Sequence, residues 1–137
     1  MTAGTLDVGG AGARTWDAVV IGAGPAGALA ARLIAAGGAR VLLVERKTFP
    51  RWKVCGACLN GQALGVLDEV GLGGRVASLG AIPLDTFDLN LPGRRVRLPL
   101  PSGVALPRAR LDAALVEAAV AAEAAFLPET QAQVGAT

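Results

Sequence analysis

The sequence predicts an α/β fold: a parallel strand–helix–strand unit, then an antiparallel hairpin and a second helix, with the sheet incomplete. Three observations carry this. An apolar run, AVVI from Ala18 to Ile21, is followed by a helical stretch and then by a second apolar run ending at Glu45. Between Thr86 and Leu100 the pattern becomes strict alternation about a Pro92-Gly93 turn. Beyond Pro107, apolar residues return to helical spacing through Leu111, Leu115, Ala118 and Ala122.

Taken in order, residues 1–14 are rich in Gly, Ala and Thr and aperiodic, the composition of a disordered tail. They carry no basic residue before Arg14 and no apolar core, which is not the pattern of a signal peptide. Residues 15–137 are expected to form one partial domain. AVVI reads as a buried strand that stops at Gly22. PAGALAARLIAA, Pro25 to Ala36, reads as a helix with proline in its first turn and Gly37-Gly38 as its stop. ARVLLVE, Ala39 to Glu45, is a second buried strand. Strand, helix and strand within about 30 residues make a βαβ unit with a right-handed crossover.

After a loop, RKTFPRWKVCGACL, Asn60 is placed to cap a short helix reaching Val70, with Ala63, Leu64, Leu67 and Val70 on one face and Gly71 ending it. Phe87, Leu89 and Leu91, then Val96, Leu98 and Leu100, predict a hairpin with one face buried. A last strand begins at Phe126, where a third parallel strand would form.

Composition excludes several chemistries. The chain has no histidine and no tyrosine, so histidine-based nucleophile systems, histidine-ligated metals and tyrosine acid/base chemistry are absent. Cys55 and Cys58 are too few for a structural zinc site without histidine. With 53% hydrophobic and only 4% aromatic residues, the core is one of Ala, Val and Leu. The net charge is +2, and the short cluster Arg94, Arg95 and Arg97 lacks neighbouring aromatics, which does not suit nucleic acid. No apolar run reaches the ~18 residues of a membrane span. The expected location is cytoplasmic.

Gly22-x-Gly24-x-x-Gly27 lies where a dinucleotide fingerprint needs it, between a strand and a helix. Gly22 permits the tight turn, Gly24 lets a pyrophosphate approach the backbone, and Gly27 lets helix and strand pack closely. The helix N-terminus adds free N–H groups and a positive dipole end. A bare pattern of this kind carries little weight in a chain with 19 glycines. Here the flanking elements and Glu45 agree with it. That carboxylate falls roughly 20 residues further on, at the end of the second strand, where it can accept hydrogen bonds from ribose hydroxyls. The expected cofactor-binding residues are therefore Gly22, Ala23, Gly24, Pro25, Ala26, Gly27, Glu45 and Arg46, in a Rossmann-like FAD/NAD(P)-binding fold. Glu45 disfavours a 2′-phosphate by like-charge repulsion, an exclusion that Arg46 softens. The loop does not separate NAD from FAD, since both share the ADP half.

The stretch VVIGAGPAGALAARLIAAGGARVLLVER resembles the opening of FAD-dependent oxidoreductases of the p-hydroxybenzoate hydroxylase superfamily. KTFPRWKVCGACLNGQALGVLDEVGL, Lys47 to Leu72, resembles the geranylgeranyl reductase-like branch, with its Pro-Arg-x-Lys-x-Cys-Gly segment. LPRARLDAALVEAA, Leu106 to Ala119, is similar to that branch's Arg-x-x-Leu-Asp helix start, on Arg108, Leu111 and Asp112. The resemblance implies non-covalent FAD, NAD(P)H as external reductant, and an organic or isoprenoid substrate in a full-length form. It further implies Arg108 at the ribityl-pyrophosphate region and Arg51 and Lys53 as charge partners along the cofactor. Members of the family run to several hundred residues, with a later Gly-Asp motif and a sheet-based substrate domain that are not found here. The resemblance thus implies the N-terminal part of a flavin-dependent reductase or monooxygenase, truncated and incomplete for catalysis. A non-catalytic ADP- or FAD-binding fragment and an NAD-binding domain are the alternatives. No residue is identified as a catalytic acid or base. CGAC, Cys55 to Cys58, has the spacing of a thioredoxin-type redox motif, and equally that of two reduced cysteines in a cofactor-side loop.

Overall fold

The computed structural model describes residues 4–135. The chain runs α1 (Val8–Gly12), β1 (Ala18–Ile21), α2 (Pro25–Ala36), β2 (Val41–Val44), β3 (Cys58–Asn60) and α3 (Gly61–Glu69). It continues as α4 (Gly73–Ser78), β4 (Ile82–Pro83), β5 (Thr86–Leu91), β6 (Arg94–Pro99), β7 (Gly103–Ala105), α5 (Arg108–Ala121) and β8 (Ala125–Leu127). These elements fall into two compact units, one from the chain up to Trp52 and again from Asp112 onward, the other from Lys53–Leu111.

The first unit is built on a parallel sheet of order β1-β2-β8. Ala18 pairs with Val41 and Ile21 with Val44, while Leu42 pairs with Ala125 and Val44 with Leu127. Every residue of β2 is buried, as a central parallel strand requires. β1 is half covered: Val19 and Ile21 are both 53% exposed, and among the described residues β1 pairs with β2 alone. α2 lies on the sheet through Ala28, Ala31 and Ala35, whose spacing puts small side chains on one face. Gly38, at φ +89°, ends the turn that returns the chain to β2.

Residues 4–13 differ from the disordered tail that their composition predicts. Asp7 caps α1 by accepting from Gly10 N at 2.7 Å. Ala11 is buried against Leu42, Val44, Ala125 and Leu127, with Leu6, Trp16 and Ala132 packed around it. Trp16 Nε1 donates to Ala11 O at 2.9 Å. Leu6 N donates to Phe126 O and Phe126 N to Gly4 O, so the segment pairs with the outer edge of β8. Low local propensity is overridden because the sheet's second face and its β8 edge both need covering.

The second unit holds an antiparallel sheet of order β3-β7-β4 and the separate ribbon β5-β6. Asn60 caps α3 as expected, accepting from Ala63 N at 2.9 Å. The helix α4 has no counterpart in the sequence reading; its six residues, two of them glycine, give too short a pattern to detect. The hairpin forms about the expected Pro92-Gly93 turn, with Phe87 opposite Leu98 and Leu89 opposite Val96. Its expected burial is not found. Phe87, Leu89, Leu91, Val96 and Leu98 share one face, and all of them are exposed. Alternation fixes which side chains share a face, and what covers that face is decided elsewhere.

Candidate nucleotide-binding site

The end of β1 and the start of α2 form a tight loop whose shape rests on two glycines. Gly22 sits at φ +99°, a region that side chains disfavour, and its N–H donates to Val44 O at 2.7 Å. At Gly27 an added Cβ would lie 1.9 Å from Gly22 O, so only glycine lets the helix approach the strand end this closely. Gly24 stands at the N-cap with no side-chain cap, and Pro25 opens the helix. The first helical hydrogen bond runs from Ala28 N to Gly24 O at 2.9 Å. The remaining first-turn N–H groups must be satisfied from outside the helix. Ala23, between the glycines, is fully buried.

Glu45 follows β2 directly and is 3% exposed. Its Oε2 accepts from Ala23 N at 2.9 Å and its Oε1 from Lys47 N at 3.0 Å. Its backbone is held on both sides, N donating to Leu127 O and O accepting from Thr130 N. The side chain therefore ties the glycine loop to the end of β2, and β8 holds it in place.

Arg51 reaches the same place from the loop after β2. Its Nη1 lies 3.3 Å from Glu45 Oε2, and its Nη2 lies 3.5 Å from Asp112 Oδ2. An added Cβ on Gly24 would stand 3.5 Å from Arg51 Nη2, so the guanidinium flanks the loop backbone. The ring of Phe49 lies 5.4 Å from the guanidinium carbon, and Phe49 packs edge-on against Phe126. Arg51 Nε is buried and has no hydrogen-bond partner among the described residues. Asp112, in α5, is 1% exposed.

The structure thus brings together Gly22, Ala23, Gly24, Pro25, Ala26, Gly27, Glu45 and Arg51. Arg46 is exposed beside Glu45. Lys53 is exposed and belongs to the second unit, and Arg108 opens α5, partly buried. Asp112 is the residue that sequence reasoning passed over. It appeared there only as part of a helix-start motif, and the available signal was an acid at a position the helix buries. Cys55 and Cys58 are free and exposed. Both sulphurs rest on the Gly56–Ala57 peptide, Cys55 Sγ accepting from Ala57 N and Cys58 Sγ donating to Gly56 O.

A glycine-lined turn, an uncapped helix N-terminus and a buried carboxylate at the next strand end are the elements that dinucleotide-binding folds use for an ADP moiety. The FAD binding domain family matches residues 15–135, and the chain belongs to it. Menaquinone reductase from Mycobacterium tuberculosis is 49% identical over 57 residues, covering 42% of this chain and 14% of that protein. Menaquinone reductase from Mycolicibacterium smegmatis is 36% identical over 107 residues, 70% of this chain and 24% of the relative. The fold also matches a geranylgeranyl bacteriochlorophyll reductase-like structure from Thermoplasma acidophilum, with TM-score 0.69 and 24% identity over 92% of this chain and 31% of that one. The chain therefore spans about a quarter or less of the curated relatives it matches. FAD is the cofactor, and the fold class is that of FAD-binding Rossmann-like proteins. Among the described residues, no helix is long and apolar enough to cross a membrane.

Proposed function

We propose that this chain is the ADP-binding part of a flavin-dependent oxidoreductase, acting in a longer form on an organic or isoprenoid substrate with NAD(P)H as external reductant. The observation that carries the proposal is Glu45 bonded to Ala23 N within a loop that a Cβ at Gly27 would destroy. The residues fit the cofactor's ADP half. An ionised carboxylate offers about four acceptor positions; Ala23 N–H and Lys47 N–H take two of those on Glu45, and Arg51 Nη1 stands 3.3 Å from Oε2 without a full hydrogen bond. Acceptor capacity is left for a ribose hydroxyl. Gly22, Ala23, Gly24, Pro25, Ala26 and Gly27 present backbone and a helix N-terminus to the pyrophosphate, and the Arg51 guanidinium flanks the loop at Gly24. Arg46, exposed beside Glu45, is a further charge at the nucleotide end in this reading.

Bound FAD supplies a two-electron carrier, and the residues of this chain bind and orient its nucleotide end. The similarity to menaquinone reductases supports reduction of a prenylated substrate over hydroxylation or halogenation. A cytoplasmic location belongs to the same reading. So does the absence of a nucleic-acid partner: Arg95 and Arg97, two of the three clustered arginines, both pair with Asp88.

Calorimetric titration of the purified chain with ADP tests the site. Glu45→Ala is expected to weaken ADP binding about tenfold or more, a loss of roughly 1.4 kcal/mol per decade. Unchanged affinity in a folded variant would remove Glu45 from the site.

A further inference from the structure

The structure assigns Asp112 a positioning role: through Arg51 it keeps the Glu45 carboxylate available to a ribose 2′-hydroxyl and hostile to a 2′-phosphate. The inference rests on the reading of the glycine loop as an ADP site and adds to it the residue that sets which ribose is accepted.

Arg51 stands between two buried carboxylates on different elements, Glu45 after β2 and Asp112 in α5. Neither approach is tight. Separations of 3.3 and 3.5 Å exceed the ~2.7–2.9 Å of a full charge-assisted hydrogen bond. The guanidinium is therefore shared, drawn toward Asp112 through Nη2 while Nη1 faces Glu45. Its own hydrogen-bonding needs do not set this position, since Nε is left buried without a partner. The Phe49 ring, 5.4 Å from the guanidinium carbon, bounds it on one face.

Neutralising Asp112 removes the pull from one side. Arg51 then closes on Glu45 Oε2, which already accepts from Ala23 N. Two consequences follow from elementary electrostatics. The guanidinium then takes acceptor capacity on Oε2 that its 3.3 Å stand-off leaves open to a ribose hydroxyl. The negative field that repels a 2′-phosphate is also quenched, because the carboxylate becomes half of a close ion pair. Asp112 touches no ligand and reaches Glu45 through Arg51.

The test is a ratio. The full chain is titrated with ADP and with 2′-phospho-ADP, as wild type, Asp112→Asn and Asp112→Glu. Wild type is expected to prefer ADP. Asp112→Asn is expected to lower that preference on the order of tenfold, and Asp112→Glu to restore it. If Asp112→Asn fails to fold by circular dichroism, Arg51→Gln reads the same link, because it removes the cation that would close on Glu45. Its preference for ADP should hold or rise, and a fall overturns the inference. A purely structural role for Asp112 would weaken both nucleotides in proportion; an unmoved ratio overturns the inference while leaving the loop as an ADP site. Wild-type chain that binds neither nucleotide overturns that site reading, and the positioning role with it.

Discussion

Strand β2 and the β5-β6 ribbon are both written in large aliphatic residues, yet Leu43 is fully buried while Leu89 is 41% exposed. In the first unit, α2 comes from the segment that connects β1 to β2, and α1 precedes them, so covering for the sheet is encoded beside it. The ribbon has no such local provision. Its alternation builds an apolar face of Phe87, Leu89, Leu91, Val96 and Leu98, all 41–52% exposed. Periodicity specifies an element and its faces, and only chain topology or a partner decides whether a face is covered.

The sharpest way to break this contrast is at the glycines. Gly27→Ala forces a Cβ to within 1.9 Å of a backbone oxygen that cannot move away without opening the loop. It should cost about 3 kcal/mol or more and abolish nucleotide binding. Gly65→Ala, in the middle of α3 with nothing within 4 Å of the added carbon, should instead stabilise by up to about 1 kcal/mol. Urea unfolding of the two variants checks both signs. Equal losses would mean that the close approach at Gly27 has no special weight.

Side-chain truncation probes the same difference more gently. Leu43→Ala removes a fully buried side chain from the central strand and should cost about 2–5 kcal/mol. Leu89→Ser on the ribbon should change stability by roughly 0.5 kcal/mol or less. It should also reduce self-association, since it interrupts a contiguous exposed apolar face. Sedimentation at several concentrations reads the second effect. A loss at Leu89 as large as that at Leu43 would show that the ribbon face is covered in solution.

How much of this was legible in the sequence follows the same line. β1, α2 and β2 were readable because apolar runs, a proline start and a Gly-Gly stop all agreed, and the glycine loop came with them. α3 was readable through Asn60. Residues 4–13 were not, since nothing in a Gly/Ala-rich stretch signals that Ala11 will fill a gap over Leu42 and Val44. At the site, Glu45 could be placed by its spacing from the glycines. The Arg51–Asp112 pair could not, because it joins residues far apart in sequence through a contact that only the packed α5 creates.

The smallest effect lies at the surface pair that flanks the entry to β1. Arg40 donates to Asp17 through Nε at 3.0 Å and Nη2 at 2.7 Å, and its backbone N–H adds a third bond at 2.8 Å. The side-chain hydrogen bonds of Arg40, then its backbone N–H, lower the Asp17 pKa from 3.8 to about 2. The sign follows from linkage. A carboxyl whose folded value lies below its unfolded one contributes stability above the unfolded value and loses it as pH falls through the folded one. Asp17 therefore helps at pH 5 and above, fades below about 4 and is spent near 2. Both groups are exposed, so the contribution is small and screened by salt. Asp17→Asn should lower the melting temperature slightly at pH 6, and the gap to wild type should close as the pH is brought toward 2. A gap independent of pH would assign the effect to the lost backbone bond and leave the charge of Asp17 no part in holding β1 to the start of β2.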